Sequence, residues 1–105
     1  MCGLIALFAP GNKTASRVDT MREMLARIAH RGPDDEGVRH IAGQALFGHR
    51  RLAIIDLDHG SQPMLSSDGR YSLVFNGEIY NYVELREDLI KHGVRFKTHS
   101  DTEVL

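Results

Sequence analysis

The sequence has a single cysteine, Cys2, among 105 residues. One thiol excludes an intramolecular disulfide framework and fits a reducing compartment. An excess of either charge is also missing: 13 Lys+Arg against 14 Asp+Glu leave a formal net charge of −1. No Lys/Arg cluster or aromatic run hides in that balance, so a strongly basic nucleic-acid binder is excluded. Hydrophobic residues make up 42% of the chain and recur throughout, which excludes an acidic disordered tail. No apolar run approaches the roughly 20 residues needed to cross a bilayer. Residues 4–9 are too short a stretch for a signal peptide and have no basic flank before them. Metal-ligand spacing is absent as well. The six histidines stand at 30, 40, 49, 59, 92 and 99, with no i,i+4 pair and no second cysteine, so no metal site is expected. Neither GxGxxG nor a Walker loop occurs, which leaves phosphate binding by these residues unsupported. These absences predict a soluble, cytoplasmic chain of at most one domain, with no nucleic acid or membrane as partner.

No internal repeat, low-complexity segment or linker divides what is present. Residues 4–8 are a short apolar run closed by Pro10-Gly11, the pattern of a buried strand. Residues 12–15 read as a loop. Val18, Met21, Leu25 and Ile28 then recur at helical spacing, which predicts a helix over 16–29. The turn Arg31-Gly32-Pro33-Asp34-Asp35 ends it. Short strands are expected at 38–41, 45–49 and 52–57, with turns at Gly43 and Arg50. A long polar loop over 58–69 leads to a strand at 71–75, closed by Asn76-Gly77. Asn81 with Glu84 predicts a helix start, running to about His92 with Gly93 as its left-handed terminator. Another strand is expected at 95–98. Ser100 with Glu103 repeats the capping pattern, and the chain stops two residues later. A helix given no room to continue predicts a partial domain.

Four segments have residue types suited to chemistry. Cys2 by itself is a small apolar residue near a terminus. Were Met1 removed, however, its thiol and its α-amine would belong to one residue. α-Amines titrate near 8, so nucleophile and base would be covalently linked. The hexapeptide Asn76-Gly77-Glu78-Ile79-Tyr80-Asn81 is either a connector turn or an oxyanion site. In the second case the Asn76 amide and the Gly77 N–H would converge on one oxygen. Arg50-Arg51 is either a pair of solvated turn charges or the source of a guanidinium fork for a carboxylate. Asp101 is either a first-turn residue favoured by the helix dipole or the partner of an ammonium group. An α-amino acid substrate needs one cation, one anion and a reactive centre, and these segments supply that set.

Six stretches together resemble the amino-terminal part of class II glutamine amidotransferases, which are N-terminal-nucleophile hydrolases. They are Met1-Cys2-Gly3, His30-Arg31-Gly32-Pro33-Asp34, Gly48-His49-Arg50-Arg51-Leu52-Ala53-Ile54-Ile55-Asp56, Gln62-Pro63-Met64, Phe75-Asn76-Gly77-Glu78-Ile79-Tyr80-Asn81 and Ser100-Asp101-Thr102-Glu103. They occur in the family's order and span almost the whole chain. The Arg-Gly-Pro-Asp and Gly-Glu-Ile-Tyr-Asn forms favour the branch of glutamine-hydrolysing asparagine synthetases. Gly3-Leu4-Ile5-Ala6-Leu7 departs slightly from the usual second-glycine pattern and leaves the nucleophile in place.

The resemblance implies an α+β fold, a four-layer α-β-β-α sandwich, incomplete at the C-terminus, with residues 1–105 as a partial glutaminase domain. It implies Cys2 as the nucleophile with its own amine as base, and Asn76 and Gly77 as the oxyanion hole. It implies Arg51 on the glutamine α-carboxylate and Glu78 and Asp101 on the α-amino group, with Leu52, Ile54 and Ile55 completing the glutamine-binding set. Glutamine would be hydrolysed to glutamate and ammonia through a γ-glutamyl thioester. A synthetase domain absent from these residues would use ATP and Mg to activate aspartate as an acyl-adenylate and form asparagine. No cofactor is implied for residues 1–105, and the oligomeric state is left open, a homodimer among the options. Two alternatives stay open: an amidotransferase that supplies another acceptor, and a non-catalytic binding module of the same fold.

Overall fold

In the first half of the chain, strands of alternating character meet a helix with one apolar stripe. The computed structural model describes residues 1–11 and 13–105. Asn12, which the sequence assigns to a loop, lies outside the described residues. Strands β1 (Gly3–Phe8), β2 (Asp35–Ile41) and β3 (Ala45–Arg51) form an antiparallel sheet in the order β1-β3-β2. Helix α1 (Val18–Arg27) packs on one face. Met21, Leu25 and Leu46 are buried there, with Ile5, Val18, Ile28 and Val38 packed around them. Gly48 sits beneath the helix in the central strand. A Cβ at that position would stand 2.6 Å from the Met21 sulfur and 2.9 Å from Leu25 Cδ1, so the missing side chain is what lets α1 approach. The β2–β3 hairpin turns through Ala42 and Gly43, both at positive φ (46° and 72°), and Gln44 N–H donates to the Ile41 carbonyl at 2.9 Å. Two consecutive positive φ values make a type I′ turn, whose twist matches that of the strands it joins.

Successive strand residues face opposite sides of the sheet. Leu4, Ala6, Phe8, Phe47, His49 and Arg51 therefore lie on the face away from α1. The rest of the chain forms a two-stranded sheet of β4 (Met64–Leu65) and β5 (Ser72–Leu73), helix α2 (Tyr82–Lys91) and the short helix α3 (Asp101–Val104), and it meets that face where Gln62 lies against Gly37 and Phe75 against His49. Gly93, at φ 89°, ends α2: its N–H donates to Ile90 O at 2.9 Å and Val94 N–H to Leu89 O at 3.0 Å, the Schellman pairing. The architecture is mixed α/β with antiparallel sheets. No described helix is long and apolar enough to cross a membrane.

Several expectations are corrected. Residues 52–57 form no strand, and there is no turn at Arg50. Strand β3 continues through Arg51, and the chain after it curls around the Arg51 guanidinium. Residues 95–98 form no strand either, because the N–H groups of Lys97 and Thr98 donate to the Glu103 carboxylate at 2.9 and 2.7 Å. Strand 71–75 shrinks to β5, and β4 lies inside the stretch read as a polar loop. The 16–29 helix divides into α1 and two flanking 3₁₀ turns, Ala15–Arg17 and Ala29–Arg31. Ser100 does cap α3, its hydroxyl accepting the Thr102 N–H at 3.1 Å. Asn81 precedes α2 without a side-chain cap bond.

Candidate active site

Cys2 precedes β1 by one residue, and continuation of the β1–β3 register sets it opposite Arg51. Its sulfur lies against the backbone of one residue of the neighbouring loop. Leu52 N–H donates to Sγ at 3.3 Å, and Sγ lies 3.6 Å from the Leu52 carbonyl. Arg31 Nε donates to the Cys2 carbonyl at 3.1 Å.

Arg51 is 6% exposed. Its Nη2 donates to the carbonyls of Ile55 and Asp56 and its Nη1 to that of Leu57, the outer two at 2.9 and 3.0 Å. A guanidinium has five N–H donors. The two left over, on Nε and Nη1, point to different edges of the group, so the bidentate fork read from the sequence is already engaged by backbone. Gly60 completes this nest, since a Cβ there would overlap the guanidinium. Arg50 leaves the opposite face. Its Nη1 is 2.7 Å from the Glu36 carboxylate, its register partner on β2, and its Nε donates to the Gly32 carbonyl at 3.1 Å. Neither arginine is a solvated turn charge.

Asp56 ties the loop to the segment before α3. It adopts φ 49°, a left-handed conformation that Asp tolerates better than most side chains. Its carboxylate accepts the His99 N–H at 2.7 Å and both the N–H and Nδ1 of His59 at 3.2 Å. The His99 N–H, with His59 helping, holds that carboxyl below the ordinary range against the opposing effect of burial. On α3, Asp101 is 6% exposed, and its Oδ2 accepts the Ile79 N–H at 3.0 Å.

Phe75 leads into Asn76 and Gly77. Its N–H donates to Gln62 Oε1 at 2.6 Å, and its carbonyl accepts from His49 Nε2 at 3.2 Å. A carbonyl can only accept, so Nε2 has the proton. Burial is the main cause that lowers the His49 pKa below the usual histidine value, and the positive charge of Arg51 acts in the same direction; the Phe75 carbonyl and Asp35 oppose them. His49 is neutral at pH 7.

These groups enclose a cavity of about 300 Å³. All nine residues singled out from the sequence line it: Cys2, Arg51, Leu52, Ile54, Ile55, Asn76, Gly77, Glu78 and Asp101. The volume is at the lower end for small-molecule sites. Sequence reasoning missed Met1, Gly60, Gln62, Phe75, Tyr80, Ser100 and Thr102 on the same walls, and it missed Arg31 behind Cys2. Gln62 stands in a stretch that matches the family, which was a signal without a role attached. Among the described residues, no group of three or more His, Cys, Asp or Glu could hold a metal ion.

A thiol, an amide-glycine pair, a buried cation and a buried carboxylate thus meet around one small cavity. The family described as glutamine amidotransferase domain matches residues 1–105, and the chain belongs to that family. An asparagine synthetase [glutamine-hydrolyzing] 1 of Bacillus subtilis is 48% identical over 100% of the chain, which covers 17% of that protein. A probable asparagine synthetase [glutamine-hydrolyzing] of Dictyostelium discoideum is 40% identical over 98% of the chain, which covers 18% of it. A second Bacillus subtilis asparagine synthetase is 45% identical over 100% of the chain, which covers 14% of it. The chain thus spans less than a fifth of the length of these relatives.

Proposed function

We propose that this chain is the glutamine-hydrolysing part of an asparagine synthetase, and that its nine cavity residues have the roles the resemblance implies. The observation that supports this best is the cavity itself, where Cys2, Arg51, Asn76, Gly77 and Asp101 meet. With Met1 in place, the Cys2 nitrogen is a peptide nitrogen and Met1 lines the cavity. Its removal clears that wall and creates the base. Arg51 holds the glutamine α-carboxylate through the N–H groups the loop carbonyls leave free, and Glu78 and Asp101 hold the α-ammonium. Leu52, Ile54 and Ile55 flank the aliphatic stem.

The Cys2 proton passes to its α-amine, and Sγ bonds to the side-chain amide carbon. Asn76 and Gly77 donate to the oxygen that gains charge. The C–N bond breaks, the amine returns the proton to the leaving ammonia, and water then releases glutamate from the thioester. The apolar face of the first sheet, with Leu4 and Phe8 exposed at 42% and 72%, supports a completed four-layer sandwich in which residues 1–105 are a partial domain. ATP and Mg belong to a separate synthetase domain that uses the ammonia to make asparagine, since nothing in this donor set fits them. The lone thiol suits a cytoplasmic setting, and a homodimer stays among the options for its assembly.

The test is Cys2→Ala in the full-length protein. Glutamine hydrolysis falls to background while synthesis from free ammonia persists, because only the first reaction uses the thiol. Hydrolysis that survives the substitution overturns the assignment.

A further inference from the structure

The residue before Asn76 and Gly77 is held by side chains where the sheet gives out. β4 and β5 pair only as Met64↔Leu73 and Leu65↔Ser72. In that register the next positions set Pro63 opposite Val74 and Gln62 opposite Phe75. Proline has no N–H to give, so the ladder stops. At the following position the Gln62 side chain takes the place of backbone, its Oε1 accepting the Phe75 N–H at 2.6 Å. From below, His49 on β3 donates Nε2–H to the Phe75 carbonyl at 3.2 Å. Gln62 is 8% exposed and His49 1%, so water competes little for either bond. The other end of the Gln62 amide is also engaged, its Nε2 donating to Thr102 Oγ1 at 3.3 Å. Gly37 makes room for this arrangement, since a Cβ there would overlap the Gln62 carbonyl. The Phe75 ring lies against Gly77, where a Cβ would be 2.7 Å from Cζ.

We propose that Gln62 and His49 are positioning residues: they fix both backbone polar groups of Phe75 and so aim the Asn76 amide and the Gly77 N–H at the oxygen of the amide under attack. The inference rests on the reading of Asn76 and Gly77 as oxyanion donors. Such donors accelerate a reaction only when they are already oriented. Two buried side chains, one on each side of the preceding residue, remove the rotation that would let them drift. Neither is required to touch the reacting atoms.

The test uses the full-length protein, with wild type and Cys2→Ala bracketing the glutamine hydrolysis that Cys2 performs. Gln62→Met and His49→Phe keep approximate volume and remove one bond to Phe75 each. Each lowers kcat about 10- to 100-fold, the scale of a misaimed donor, with KM changed by less than about threefold. His49→Gln, whose amide N–H reaches toward the place of Nε2, recovers most of its loss. In an Asn76→Ala background both losses shrink, because one of the donors they aim is gone. Circular dichroism confirms folding, and should one variant fail to fold, the other reads the same residue from its opposite side. A folded variant with wild-type kcat, or losses that multiply undiminished onto Asn76→Ala, overturns the inference. Absent wild-type hydrolysis, or hydrolysis that survives Cys2→Ala, overturns the underlying reading and this inference with it.

Discussion

Arg50 and Arg51 are neighbours with separate work, because consecutive strand residues leave opposite faces of a sheet. Arg50 pairs across the register with Glu36 at 2.7 Å. Arg51 turns toward the cavity and gathers three backbone carbonyls. Removing Arg50 loses a partly exposed ion pair, worth up to about 1 kcal/mol, together with its bond to the Gly32 carbonyl, and leaves glutamine binding unchanged. Removing Arg51 takes away the proposed carboxylate ligand and leaves three carbonyls without their donor. Losing a charged hydrogen bond costs about 1.5–3 kcal/mol, which corresponds to a rise in glutamine Kd of roughly 10- to 100-fold. Arg51→Lys restores only part of this, since one ammonium cannot serve three carbonyls and a ligand at once. Glutamine titration of each folded full-length variant checks it. Weaker binding in Arg50→Ala with normal binding in Arg51→Ala would show that the β3 faces have been assigned to the wrong arginine.

At the scale of elements, the loop that follows β3 is shaped by the side chain it surrounds. Leu52-Ala53-Ile54-Ile55 looks like a strand by composition, yet Arg51 draws the carbonyls of Ile55, Asp56 and Leu57 inward and bends the chain. Gly60 N–H donates to the Asp56 carbonyl at 3.1 Å, which sets Gly60 directly against the guanidinium. Gly60→Ala therefore displaces Arg51. Overpacking of this kind costs about 1–3 kcal/mol, and it appears as a glutamine KM raised on the order of tenfold with a smaller change in kcat. An unchanged KM in a steady-state titration would mean that the nest tolerates the methyl and does not set the Arg51 position. The same loop shows what a sequence reveals and what it hides. β1, β3, α1 and the Gly43 turn were legible because each has a local period or a backbone requirement. The 52–57 loop and the 95–98 segment were not, since their backbone groups bind the side chains of Arg51 and Glu103, and no period records that. In the site, Cys2 and Asn76 could be read as residue types suited to acyl transfer and Asp101 as a partner for an ammonium group, and all three line one cavity. The Gln62 and His49 contacts to Phe75 span 13 and 26 residues and have no local signature at all.

On the scale of the whole molecule, the proposed mechanism depends on one residue being taken away. Met1 lines the cavity beside Cys2, 77% exposed and open to an aminopeptidase. While it stays, the nitrogen of Cys2 is bonded to a carbonyl carbon and can accept no proton. Of the other groups that could take the proton, His49 does not line the cavity, and Glu78 and Asp101, which do, are the proposed partners of the substrate ammonium. A correctly placed general base contributes about 10²- to 10⁴-fold, so a protein that keeps Met1 should hydrolyse glutamine slower by roughly that factor. Glutamine affinity changes less, because Arg51 and Asp101 are in place in either form. Expression with the methionine aminopeptidase inhibited, followed by intact mass and glutaminase assay on the full-length protein, separates the two forms. Equal kcat with and without Met1 would rule out the α-amine as the base and send the search to another proton acceptor in the cavity.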